Sequence, residues 1–291
     1  MGATVAIGMF DGLHIGHQRL IQQAIDDARA NDRQCTVMTF AHHPMAVIAP
    51  DRQPTQLQRD EDRIAALSAI DGVDQVVPLH FHEGVRQMNA DDFVRDIVVG
   101  RLEAEQVIVG ANFRFGQDAK GTPEVIAKYV PITMADLCTV DGVIVSSTQI
   151  RDAIKTGWVE RANEMLGRPH YLRSTVITGD QRGRTLGFPT ANLDVRPEMT
   201  VPAIGVYAGL MHGAGYENVL TAVSIGYNTT FGHTPTLRVE AHLLDFDDDI
   251  YSELITIEFH HHLRGQERYP GKEALIEQLQ KDCARTRELM S

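Results

Sequence analysis

The chain has 291 residues, 43% of them hydrophobic, and its 39 acidic against 27 basic side chains give a formal net charge of -12. That is more apolar material than one small domain needs, yet no run reaches the roughly 18 apolar residues of a spanning helix, so two soluble domains are expected and a membrane partner is not. The acidic balance argues against a general grip on nucleic acid, and the three dispersed cysteines, Cys35, Cys138 and Cys283, form neither a disulfide framework nor a zinc pattern. With no basic region or cleavage site after Met1, a reducing cytoplasm is the expected location.

In chain order, residues 4–7 read as a buried strand, and Leu20, Ile21, Ala24, Ile25 and Ala28 mark one face of a helix. Between them lies Gly8-Met9-Phe10-Asp11-Gly12-Leu13-His14-Ile15-Gly16-His17. Glycines let a backbone approach a phosphate closely, a helix N-terminus offers free amides, and His14 and His17 share one side of the first turn. The set can bind a triphosphate and stabilise charge developing at an α-phosphorus. Two such histidines elsewhere would more often simply cap a helix, but the glycine-rich strand-to-helix setting favours the phosphate. Residues 36–40 complete a βαβ unit. Strand candidates at 75–79, 106–109 and 143–145 alternate with helical patterns around 64–70 and 93–98. This predicts an α/β domain whose parallel sheet is covered on both faces and binds ligands beyond its strand C-termini. Asn112, after a strand and Gly110, can hydrogen-bond a nucleotide. Ser146-Ser147-Thr148 precedes a helical stretch at 149–155, so a hydroxyl can cap it while its amides meet a phosphate, with Arg151 one turn along to clamp pyrophosphate or to lie in solvent.

A helix carrying Val159, Ala162, Met165 and Leu166 ends at Gly167-Arg168-Pro169, which sets a domain boundary near Pro169, with domains 1–168 and 169–291. Beyond it the periodicity turns two-fold. Leu237, Val239, Ala241 and Leu243 share one face of a strand and Arg238, Glu240, His242 and Leu244 the other; Ile255, Ile257 and Phe259 repeat the pattern. A small antiparallel β-barrel is expected, covered by a terminal helix over 272–290 on which Leu275, Leu279 and Cys283 recur. The loop from Gly179 through Gly183, Arg184 and Gly187 suits phosphates without being a P-loop, and Thr190 and Asn192 offer hard oxygens of the kind Mg²⁺ takes. Glu240 can accept a hydroxyl proton. The run His260-His261-His262 cannot converge on one ion, because neighbouring strand residues face opposite ways.

Three further motifs join the first loop: Val109-Gly110-Ala111-Asn112-Phe113-Arg114-Phe115-Gly116, Ser146-Ser147-Thr148-Gln149-Ile150-Arg151 and Gly183-Arg184-Thr185-Leu186-Gly187-Phe188-Pro189-Thr190-Ala191-Asn192. In that order, over nearly the whole chain, they resemble the bacterial bifunctional riboflavin kinase/FMN adenylyltransferase family. The resemblance implies a Rossmann-like nucleotidyltransferase domain followed by a riboflavin kinase barrel, with riboflavin, FMN, FAD and ATP as ligands and Mg²⁺ as cofactor. It places Gly8, Phe10, Asp11, Gly16, Asn112, Ser147 and Thr148 at one ATP, with His14, His17 and Arg151 acting on its phosphates. Gly183, Arg184, Gly187, Thr190 and Asn192 fall at a second ATP, with Mg²⁺ on Thr190 and Asn192. Glu240 falls at the position of the catalytic base, and His43 and Arg264 at flavin sites. Phe113 and Phe115 fit the core and a flavin's neighbourhood equally. The chain departs from the pattern at Ala41, Ser224, Thr229 and Gln266, where the family carries other residues. Ala41, in place of an acidic residue, is the feature that favours the alternative of a chain whose kinase half alone works. A flavin-binding regulator without turnover would not need the intact His14, His17, Thr190, Asn192 and Glu240.

Overall fold

The computed structural model describes residues 2–179, 183, 186–228 and 236–291. The chain divides into two compact units, Met1–Ser147 and Thr148–Ser291. In the first, strands β1 (Ala3–Ile7), β2 (Gln34–Phe40), β3 (Gln75–Leu79), β4 (Ala104–Gly110) and β5 (Ile132–Ala135) form one parallel sheet in the order β3-β2-β1-β4-β5. Strand alternation divides its side chains between two cores. Val5, Ile7, Val107 and Val109 meet Phe93, Val94, Ile97 and Ile126 on one face. Ala6 and Ile108 meet helix α1 (Ile15–Ala30) on the other, where all five residues of its expected stripe are buried. The strand order reverses between β1 and β4, so the loops leaving their C-terminal ends part and open a crevice.

The fifth strand differs from the sequence expectation. Residues 143–145 are expected in the parallel sheet, but β7 (Val143–Ile144) pairs antiparallel with β6 (Thr139–Val140). Asp141 and Gly142, at φ 50° and 77°, supply the left-handed pair that a two-residue hairpin needs. The sheet position goes to Ile132–Ala135, a short edge strand that buries only Ala135 and therefore carries little apolar pattern.

In the second unit, β8 (His170–Ile177), β9 (Ala191–Leu193), β10 (Gly205–Gly213), β11 (Tyr216–Asn228), β12 (Thr236–Leu243) and β13 (Leu254–Arg264) close into an antiparallel barrel, order β10-β11-β12-β9-β8-β13. Val239, Ala241, Leu243, Ile255, Ile257 and Phe259 all point into its core, as their alternation requires. The helix Val159–Leu166 buries the four predicted residues against this barrel. Its Asn163 side chain donates to Phe259 O at 2.8 Å and accepts from His170 N at 2.7 Å. The terminal helix Lys272–Leu289 buries Asp282, Cys283 and Thr286 most deeply, while Leu275 and Leu279 are half-buried. A polar residue lies on the buried face because Asp282 accepts from Arg264 Nε at 3.0 Å and Nη2 at 2.7 Å.

Candidate active sites

In the first unit the loop after β1 is bent by positive φ at Phe10 (55°) and Leu13 (44°), with Leu13 N donating to Phe10 O at 3.0 Å. Such backbone strain persists where surroundings over-determine it. Here Phe10 is fully buried in the α1 core, and Thr39 Oγ1 and Ser147 Oγ donate to Met9 O and Asp11 O at 3.1 and 2.9 Å. The Asp11 carboxylate is buried and accepts from Leu57 N at 3.0 Å and Gln58 N at 3.3 Å, which ties the 57–58 segment to the loop. The Gly8 amide is taken by Met38 O at 3.1 Å.

His14 is the N-cap of α1, its Nδ1 accepting from His17 N at 3.2 Å. In the neutral ring its proton is therefore on Nε2. The two imidazoles stack, centroids 3.5 Å apart and planes 16° from parallel, and His17 meets the Phe10 ring edge at 5.3 Å. A β-carbon at Gly16 would lie 3.2 Å from the His14 ring, so a glycine there lets the stack sit against the backbone. His17 keeps some surface, but its Nδ1 is enclosed without a hydrogen-bond partner. Burial first, and the neighbouring His14 second, hold His17 well below the ordinary histidine pKa, so it is neutral. His43 follows β2 and accepts from Met45 N at 3.1 Å; Asn112 follows β4 and is exposed. The structure thus brings Gly8, Phe10, Asp11, His14, Gly16, His17, His43, Asn112 and Ser147 to the C-terminal edge of one sheet. Ser147 opens the helix Ser147–Lys155, on which Thr148 is exposed and Arg151 buried. Phe115 joins the core and Phe113 stacks on it at 5.5 Å.

In the barrel unit, Glu240 on β12 pairs in register with Asn192 on β9 and Ser224 on β11. The three form a row on the outer barrel face, since Val239 and Ala241 fill the interior. Arg238 Nη1 lies 3.8 Å from Glu240 Oε1. A β-carbon on Gly179 would collide with the Asn192 amide group, so this glycine, which the sequence marks only as a loop start, makes room for Asn192. Gly183 O accepts from Phe188 N at 2.9 Å, and a β-carbon on Gly183 would lie 3.5 Å from Thr190 Oγ1; Gly187 is exposed. Arg184 and Thr229 lie outside the described residues. Clefts of about 240 and 390 Å³ adjoin here, sharing Pro189, Leu243, Phe246 and Asp247 as walls. Thr190 and Tyr251 line the first, and Phe188, His242 and Cys283 the second. Arg264 is held by Asp282 from the middle of the terminal helix, and Gln266 Nε2 donates to Ser224 Oγ at 3.2 Å, so two of the departures from the family pattern touch each other.

Replacing Gly179 by Ala is expected to displace Asn192 and lower any reaction at the barrel site by about tenfold or more while reactions of the first unit continue. Parallel assays of the two half-reactions on one preparation check this.

Two family models match the chain, FAD synthetase over residues 1–151 and riboflavin kinase over 166–290. It is 38% identical to the bifunctional riboflavin kinase/FMN adenylyltransferase of Listeria monocytogenes serovar 1/2a, across 98% of this chain and 91% of that protein. The chain belongs to this bifunctional family. The family's protein from Bacillus subtilis strain 168 is 34% identical over 96% of this chain and 90% of its own length. A solved structure described as the macrolide-efflux protein of Streptococcus pneumoniae superimposes with a TM-score of 0.88 at 30% identity, covering 98% of this chain and 94% of that one. Among the described residues no helix is long and apolar enough to cross a membrane.

Proposed function

We propose that this chain phosphorylates riboflavin to FMN with ATP in its barrel unit and adenylylates FMN to FAD with a second ATP in its first unit. The observation that carries this reading is the pairing of two candidate sites, the stacked His14–His17 loop and the Asn192–Glu240 row, with family matches that divide the chain the same way.

In the barrel, Glu240 takes the proton of the riboflavin 5′-hydroxyl as the γ-phosphoryl group moves to it and ADP departs. Thr190 and Asn192 suit Mg²⁺, because a hydroxyl and an amide oxygen are hard donors and Gly179 leaves space for the amide. When bound, the ion would neutralise and orient the ATP phosphates. Thr190 also lines a cleft of about 240 Å³. In the first unit an oxygen of the FMN phosphate attacks the α-phosphorus, and the bond to pyrophosphate breaks. That nucleophile is already anionic, so no general base is needed. The free amides of α1 and the two imidazoles face the incoming negative charge, which favours protonation of His17, a ring held neutral first by burial and second by the neighbouring His14. Arg151, one turn into its helix, is the proposed clamp for pyrophosphate, Asn112 and His43 are proposed ligands of nucleotide and flavin, and Arg264 is the proposed flavin contact of the barrel.

A chromatographic time course of the purified chain with riboflavin, ATP and Mg²⁺ tests the reading: FMN is expected to appear first and FAD to follow. A chain that stops at FMN, even with FMN and ATP abundant, leaves the kinase alone, and a chain that forms neither product removes the assignment.

A further inference from the structure

We propose that Arg63 is the positioning residue of the adenylylation site: its guanidinium joins the carboxyl ends of β1 and β2 and so fixes where the His14–His17 loop stands. The proposal rests on the assignment of FMN adenylylation to the first unit.

Arg63 lies in the first turn of the helix Asp60–Ser68, yet only 1% of it is exposed. Nη1 donates to Thr39 Oγ1 at 2.6 Å and to Met9 O at 3.3 Å; Nη2 donates to Phe40 O and Asp60 Oδ1, both at 2.8 Å, and reaches Ala41 O at 3.5 Å. Met9 belongs to the histidine loop, and Phe40 and Ala41 lead into His43. One planar group therefore binds carbonyls at the ends of two adjacent strands. Asp11 makes the converse tie, its carboxylate taking the amides of Leu57 and Gln58 just before the Arg63 helix. The loop is thus fastened by a cation to its carbonyls and by an anion to its neighbours' amides.

A buried cation is a poor choice for stability alone, because an apolar residue of similar size can fill the same space without a desolvation penalty. What the guanidinium adds is direction: its fork fixes several acceptors in one plane, which an ammonium cannot do. Asp60 balances the charge while also bonding His42 Nδ1 at 2.8 Å and Gln56 Nε2 at 3.3 Å, and these hold the helix end in place.

The experiment measures FAD formation from FMN and riboflavin phosphorylation on the same preparations of Arg63→Lys, of His14→Ala/His17→Ala, and of all three changes combined. In the otherwise native chain Arg63→Lys is expected to lower adenylylation roughly 10- to 100-fold, as a misplaced reacting group does, while phosphorylation stays within about twofold. In the background without the two histidines the same change is expected to cost under about threefold, because there is no longer a pair to place. An equal cost in both backgrounds, or full adenylylation by Arg63→Lys, overturns the proposal. If Arg63→Lys does not fold, Thr39→Val, which removes the hydroxyl between Arg63 and Met9, is taken through the same cycle: a loss confined to the background that keeps the histidines supports the proposal, and an equal loss in both, or none, overturns it. A wild-type chain that makes no FAD contradicts the underlying assignment instead, and is seen before any variant is compared.

Discussion

A Glu240→Gln chain is expected to convert riboflavin to FMN on the order of 10²- to 10⁴-fold more slowly than the native chain, while turning added FMN into FAD at the native rate. The substitution keeps shape and hydrogen-bonding length but removes the ability to take a proton. It should not disturb the barrel, because Glu240 projects from the outer face while Val239 and Ala241 hold the core on either side of it. Its partners across the strands, Asn192 and Ser224, remain in register whether the carboxylate is present or not. Single-turnover formation of FMN, followed chromatographically, gives the number. A loss of less than about tenfold would remove Glu240 from the role of base and leave it as an ion-pair partner of Arg238.

The second large effect is expected from His17→Ala, at about 10²- to 10³-fold in FMN adenylylation with riboflavin phosphorylation unchanged, the magnitude of losing one preorganised charge-stabilising group. His17 is the cleaner of the two histidines to remove. His14 caps α1 through Nδ1, so His14→Ala also removes a helix cap, which is worth about 1 kcal/mol, and mixes folding with chemistry. His17 makes no cap, and its Nδ1 is already without a partner, so truncation leaves no new orphan behind. Initial rates of FAD formation at saturating ATP and FMN, set beside thermal unfolding of the same sample, separate the two contributions. Native rates in the His17 variant would mean that the loop works through its amides alone.

The candidate residues of the first site were legible because they lie in a short, contiguous motif at a strand end: residues 8–17 need only the first strand and helix to be recognised; alternation around Glu240 gives its face, and only the family resemblance proposes its role. The sheet and barrel were legible for the same local reason. What escaped was set by contacts between distant segments. Arg63 sits in Asp60-Glu61-Asp62-Arg63, which reads as a solvated helix start. The signal that it is inside is its spacing of four from buried Leu67. Gly179 is explained only by Asn192, thirteen positions on, and Asp282 only by Arg264. Strand β5 escaped because an edge strand with one buried residue carries no period to read.

The closed barrel and the open sheet also differ in their exposure to other chains. A closed barrel presents no free strand edge, whereas an open sheet ends in two rows of unpaired backbone groups, each a template for self-association. In the first unit one of those ends is β5, only four residues long, and the other is β3, which carries Pro78 near its end. Proline has no N–H to offer an incoming strand, and four residues give such a strand little to grip. Both margins of the sheet are therefore poor seeds for aggregation, a property that would matter most while the chain is newly made and its second unit is still incomplete.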